Sequence, residues 1–254
     1  MAKRLFDEEV KSMENSFMHV KISKKSRVGT LDNVYKFRNF ARSVNGVYAV
    51  SERRAELDKW LEKFVEAVIF GVNSAAESPN SKYPASVVRF ENFHVFRDVL
   101  AELKMECLES KRKMVNKMYK ENIDRYVQEK MGRPLDKINT FFEQVERAIR
   151  SGKKPSEIAY EQQFSRIELK KVISCYPSRE VRKGLENLYK QVEKHLCFQS
   201  PLLQVVWRNM QDEFLKQVKH YQRLIAQCYS APRIDLEFTI DEVLQFFSEI
   251  AQQH

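Results

Sequence analysis

Apolar residues recur every three or four positions along most of the chain, the spacing of one buried face on an α-helix. The opening stretch is amphipathic and runs into the polar segment Lys21 to Gly29, which predicts a helix followed by a turn. Leu31 to Asn45 predicts a second helix with Val34, Phe37 and Ala41 on one face and Gly46 just past its end. A third begins near Ser51, a good N-cap residue, and lines up Leu57, Trp60, Leu61, Phe64, Val68 and Val72. Ala75 to Pro84 is the clearest loop, with two prolines among small polar residues.

Ser86 to Met131 reads as one very long helical pattern, its second half expected to project from the core or bend. Phe93, Phe96, Leu100, Leu103 and Cys107 mark its apolar line, which thins to Met114, Met118, Ile123 and Val127 among many charges. Gly132-Arg133-Pro134 ends it, with the proline expected in the first turn of the next helix, Leu135 to Arg150. Ser151 to Pro155 is a second break and is taken as the boundary between an N-terminal helical bundle, 1–150, and a C-terminal one, 151–254. Ser165 and Glu168 have the spacing of a capping box opening a short helix to Cys175. Val181, Leu185, Leu188, Val192 and Leu196 predict a further helix after Pro177. Ser200-Pro201 then suits the start of a long one carrying Leu203, Trp207, Met210, Phe214, Val218, Tyr221, Ile225 and Cys228. Arg233 to Phe238 alternates polar and apolar and reads as an extended connector. Thr239 and Glu242 form a second capping box before a terminal helix.

Composition agrees with helices. Among 254 residues there are only six Gly and seven Pro, too few for the turns of a β-rich chain, while 17 Phe and 10 Tyr can fill a core. Four cysteines with no CxxC spacing make neither a disulfide scaffold nor a common zinc site. The N-terminus lacks the apolar centre of a signal peptide, and no uncharged apolar run is long enough to span a bilayer. The expectation is a reduced, cytoplasmic chain.

The search for chemistry finds little. The six glycines stand apart, so no phosphate-cradling loop is present. Ser110-Lys-Arg-Lys113 matches SxxK only within a charged helical run, and reads as a solvated face. His195 and Cys197 lie two apart, a spacing that does not share a helix face. The adjacent acids Asp212-Glu213 and Asp241-Glu242 read as surface or cap residues. No catalytic, metal or cofactor-binding residues are assigned.

Charge says more. The formal net charge is +9, and residues 165–229 hold twelve Lys/Arg against six Asp/Glu. Basic clusters fall at Lys21, Lys24, Lys25 and Arg27, at Lys111, Arg112, Lys113, Lys117 and Lys120, and at Lys170, Lys171, Arg179, Arg182 and Lys183. The plain reading of these clusters is a solvated helical surface; beside it, the last is the candidate contact site for an acidic partner or an anionic surface. Nucleic acid is disfavoured, because the aromatics fall at core spacing and form no stacking platform.

Several long, non-repetitive stretches carry a family resemblance: Glu91-Asn-Phe-His94, Pro134 to Glu143, Lys183 to Lys190, Lys194-His-Leu-Cys197, Leu203-Gln-Val-Val-Trp207 and Met210 to Phe214. They resemble the C-terminal part of the exocyst complex component 1 family, subunits of the octameric complex that tethers secretory vesicles to the plasma membrane. The stretch from Glu237 to His254 resembles that family's C-terminus, and the first eighty residues match more loosely. The resemblance implies an all-α, elongated rod of stacked helical bundles, and a fragment of a longer protein whose lipid-binding module and coiled coil lie N-terminal to it. It implies a non-catalytic scaffold without cofactor, cytoplasmic and recruited peripherally to sites of exocytosis. The implied partners are other exocyst subunits, with small GTPases or membrane fusion proteins beside them. The alternative reading is a basic helical module that binds anionic membrane through the third cluster.

Overall fold

The helices stop where their apolar stripes must turn. The computed structural model describes residues 2–20, 29–48, 54–197, 201–229 and 231–253. Over these the chain is helical with short connections, and among the described residues there is no strand. The all-α expectation is met. The elements are α1 (Ala2–Met18), α2 (Asp32–Tyr48), α3 (Arg54–Ala76), α4 (Ala85–Leu103), α5 (Glu109–Met131), α6 (Asp136–Arg150), α7 (Pro155–Ile158), α8 (Arg166–Ile173), α9 (Ser178–His195), α10 (Leu202–Cys228) and α11 (Ile240–Gln253). They divide into two compact units, one within Met1–Tyr126 and His195–Ser200, the other within Val127–Lys194 and Pro201–His254.

Several boundaries differ from the sequence reading. The long helical pattern over 86–131, expected to project or bend in its second half, is two separate helices, α4 and α5. Lys104 takes a left-handed conformation at φ 49°, and a short 3-10 turn at Glu106–Leu108 follows. Apolar periodicity missed this because Leu103, Met105 and Leu108 are all buried, a set that a straight helix cannot point one way. Gly46 lies inside α2, which runs on to Tyr48, whereas Gly152 does end a helix: at φ 101° it follows α6 and donates to the Ile149 carbonyl. Pro134 stands two residues before α6 rather than in its first turn. Leu203 is only half-buried, and Leu202 and Val206 take its place in the buried stripe of α10. Ser51, Ser200 and most of the Lys21–Gly29 segment lie outside the described residues.

In the first unit, one phenylalanine from each of four helices meets at the centre. Phe17 of α1 sits edge-on to Phe37 of α2 at 6.1 Å and to Phe64 of α3 at 5.4 Å, and Phe37 meets Phe96 of α4 at 5.3 Å. All four are buried. Each such ring is worth about 2–3 kcal/mol in burial alone. The exposed ion pairs, such as Arg38 with Glu102, contribute about 0–1 kcal/mol. The rings therefore hold the unit together. The helices come close because Gly71 of α3 has no side chain: a Cβ there would collide with the Phe17 carbonyl oxygen and the Asn33 side-chain amide. That amide donates to the Phe17 carbonyl of α1 at 3.0 Å and to the Val68 carbonyl of α3 at 3.4 Å, joining three helices through one buried side chain.

The second unit is organised around Trp207 of α10. Its indole N–H donates to the Phe247 carbonyl of α11 at 3.0 Å. Its ring contacts Phe247 at 4.5 Å and Tyr189 of α9 at 4.9 Å. Phe142 of α6 stacks on Tyr221 at 5.1 Å. The segment from Arg233 to Phe238 is neither helix nor strand, with Ile234 and Phe238 buried while Arg233, Asp235 and Glu237 are exposed. Both expected caps form. Thr239 and Glu242 exchange bonds in both directions, and Ser165 accepts from the Glu168 amide.

Two helical glycines make opposite predictions. Gly71→Ala should destabilise the protein by about 1–3 kcal/mol or more, since backbone has to move. Gly46→Ala meets nothing within 4 Å and should stabilise by about 0.5–1 kcal/mol. Denaturant unfolding of both variants beside wild type checks the pair, and like signs would sink the packing account.

Candidate functional site

Titratable groups outside the surface are few and separate. Glu91 of α4 is 4% exposed. It accepts the Cys197 backbone N–H at 2.7 Å through Oε1, while Oε2 is buried without a partner. Burial pushes its carboxyl up to about 7, against the lowering effect of that N–H. Its neighbour Asn92, also buried, accepts from Leu31 N–H at 2.6 Å and donates to the Val88 carbonyl at 2.8 Å. The two side chains thus tie Leu31 and Cys197, which lie far apart in sequence, to α4. His195 is engaged elsewhere, its Nδ1 at 2.8 Å from the Tyr126 hydroxyl. His195 through its ring and Cys197 through its backbone N–H are thus both held by hydrogen bonds within the first unit. Among the described residues no three His, Cys, Asp or Glu side chains gather as a metal site would require, and no helix is long and apolar enough to cross a membrane.

The basic clusters fare differently from one another. The first lies outside the described residues. The second is largely paired: Lys111 with Glu66, Arg112 and Lys113 with Glu109, and Lys117 with Glu121. In the third, Lys170 and Lys171 are exposed on α8, where Lys171 reaches Glu168 at 3.8 Å. Arg182 is held inside the second unit. It contacts Glu249 at 2.8 Å and Glu186 at 3.2 Å, and its guanidinium lies 5.7 Å from the Phe246 ring centre. Arg179 and Lys183 are exposed on α9.

Lys190 and Lys194 join them. These two were not singled out as a cluster because they stand apart in sequence, yet both are exposed on α9. The signal that could have found them is the helix's own apolar line. Val181, Leu185, Leu188 and Val192 are buried, so the residues half a turn away must face water. At about 100° per residue, Arg179, Lys183, Lys190 and Lys194 fall within an arc of about 60° opposite that line. The arrangement offers a straight row of cations and no converging nucleophile or base.

A family model described as Exocyst complex component Sec3, C-terminal, matches residues 2–231. The chain belongs to the exocyst Sec3 C-terminal family. Exocyst complex component 1 of the mouse is 44% identical over 252 residues, and that of Drosophila melanogaster 42% identical over the same length. Each match covers 99% of this chain and 28% of the relative. The Dictyostelium discoideum protein of the same name is 22% identical over 242 residues, covering 87% of the chain and 26% of the relative. This Sec3-family chain therefore spans little more than a quarter of the curated relatives it matches. No solved structure matches it.

Glu91 generates a prediction. Its folded pKa, about 7, lies above the ordinary value of 4.5, so the folded state holds the proton more tightly. The resulting stability is complete below pH 4.5 and is lost as pH rises through 7. His94, whose pKa burial lowers, acts in the opposite direction, so a difference measurement is needed. Relative to wild type, Glu91→Gln should gain up to about 3 kcal/mol of stability between pH 5 and pH 8. Urea midpoints at the two pH values measure it, and a difference independent of pH would show that Glu91 stays ionised.

Proposed function

We propose that this chain is a non-catalytic scaffold segment of the exocyst, helping to tether secretory vesicles to the plasma membrane before fusion. One observation carries the reading: identity above 40% to two exocyst complex component 1 proteins over 99% of the chain. The architecture supports it. Two helical units with ring-filled cores present helix faces, and buried or half-buried titratable groups such as Glu91 and His195 are spent on hydrogen bonds within the chain. On this reading the partners are other exocyst subunits, with small GTPases or membrane fusion proteins as further contacts, and the chain works from the cytoplasm, recruited peripherally. Binding energy then comes from shape and surface charge rather than from a pocket.

The membrane-binding alternative has less support. Of the five residues it rests on, Arg182 is already committed to Glu186, Glu249 and Phe246, and Lys171 lies near Glu168.

A tagged pull-down from cell lysate at two salt concentrations, read by quantitative mass spectrometry, tests the proposal. Stoichiometric recovery of exocyst subunits at low salt is the expected result. Recovery of none at either concentration would overturn it.

A further inference from the structure

The outward face of α9 carries charge in an order that folding does not require. Arg179, Lys183, Lys190 and Lys194 are exposed, and among the described residues none of them makes an ion pair. Their spacing of four, seven and four residues places them along one line about 22 Å long. Arg182, which braces α9 through Glu249, sits to the side and leaves the line clear.

We infer that this row is a docking face for an acidic α-helix of another protein, lying along α9 and meeting the four cations with carboxylates at matching helical spacing. The inference rests on the scaffold reading for the partner's setting, and adds which face is used and what chemistry it selects.

Three observations favour a helix over other anionic partners. The row is one helix wide and is bordered by the exposed acids Glu180 and Glu193, with Glu186 beside it. An anionic bilayer extends sideways over those acids as well as over the cations, and meets repulsion from both edges. A slender acidic helix meets only the row. Next, α9 carries none of the large apolar side chains that are exposed elsewhere on the chain, so it has no anchor for a lipid interior. Finally, a duplex presents phosphates on both sides of any groove, again above the bordering acids. Cations at this spacing match carboxylates at i, i+4, i+11 and i+15 on a neighbouring helix, the geometry by which charged rows select helical partners.

The test uses the full chain and three probes: a synthetic Glu-rich helical peptide, vesicles of phosphatidylcholine with phosphatidylserine, and duplex DNA. One variant carries Arg179→Glu, Lys183→Glu, Lys190→Glu and Lys194→Glu. A second carries Lys11→Glu, Lys82→Glu, Lys120→Glu and Arg125→Glu, which are exposed cations elsewhere, so both variants have the same net charge. Circular dichroism establishes that both are folded. The peptide should bind wild type, lose about tenfold or more in affinity to the first variant, and bind the second nearly as well as wild type. Glu180→Lys with Glu193→Lys should bind no more weakly than wild type. Equal losses in both variants, absence of peptide binding, or a wild type that prefers vesicles or duplex would overturn the inference. The peptide measurement needs no exocyst subunit, so its failure and failure of the lysate pull-down are distinguishable. In the pull-down, subunits retained undiminished by the first variant would likewise overturn the docking face while leaving the scaffold reading in place.

Discussion

Burial of aromatic rings between helices is the constraint on which both units depend. A helix in this chain carries one apolar stripe, and no stripe can leave water unless another helix covers it. Phe17, Phe37, Phe64 and Phe96 come from four different helices and reach one centre, so removing any of them loosens all four. Trp207 has the same role in the second unit, with an added directional element. Its indole N–H bonds the Phe247 carbonyl while its ring packs on Phe247 and Tyr189. That bond fixes the depth at which α10 and α11 meet, which packing alone specifies less sharply.

Polar groups are admitted to these cores where the chain must be held at a point rather than along a face. Asn33 bonds the Phe17 carbonyl just where Gly71 lets α1 approach α3. Asn92 holds the backbone at Leu31, and Glu91 holds it at Cys197. In each case a side chain substitutes for a backbone partner that a helix end or a connecting residue lacks, and the cost of leaving such a group unpaired makes the contact specific. Both Glu91 Oε2 and Asn33 Oδ1 are buried without a partner, but only Glu91 is ionisable, so burial weighs on its charge. Its raised pKa is the consequence.

Much of this was legible in the residue order, and the failures share a cause. The stripes of α3, α6, α9 and most of α10 follow from spacing, and the Thr239–Glu242 box follows from local hydrogen bonding. The thinning stripe after Leu103 hinted at a bend, but periodicity did not place the break at Lys104, because Leu103, Met105 and Leu108 each find the core only when the backbone turns between them. The glycine signal failed at Gly46: a glycine marks a possible helix end, yet α2 runs on to Tyr48. The exposed row on α9 was half-seen. Arg179 and Lys183 lie close enough to register as a cluster, while Lys190 and Lys194 belong with them only on the helix surface. Arg182 was grouped with them by proximity in sequence, although it turns toward Glu249 and Phe246.

The division of α9 between two faces bears on how a scaffold can be selective. Val181, Leu185, Leu188 and Val192 fold the helix, and substitutions there act on stability. Arg179, Lys183, Lys190 and Lys194 lie half a turn away, where exposed charges contribute little to folding. The two sets share a backbone and almost nothing else. Charge on the outer face can therefore change without disturbing the core, and the core in turn keeps the outer charges in register along a rigid line. A flexible basic tail of the same charge would attract acidic partners at long range but could not require a matching spacing. A helix locked by its buried face can, because a partner that misplaces one carboxylate by a residue loses its match to the whole row.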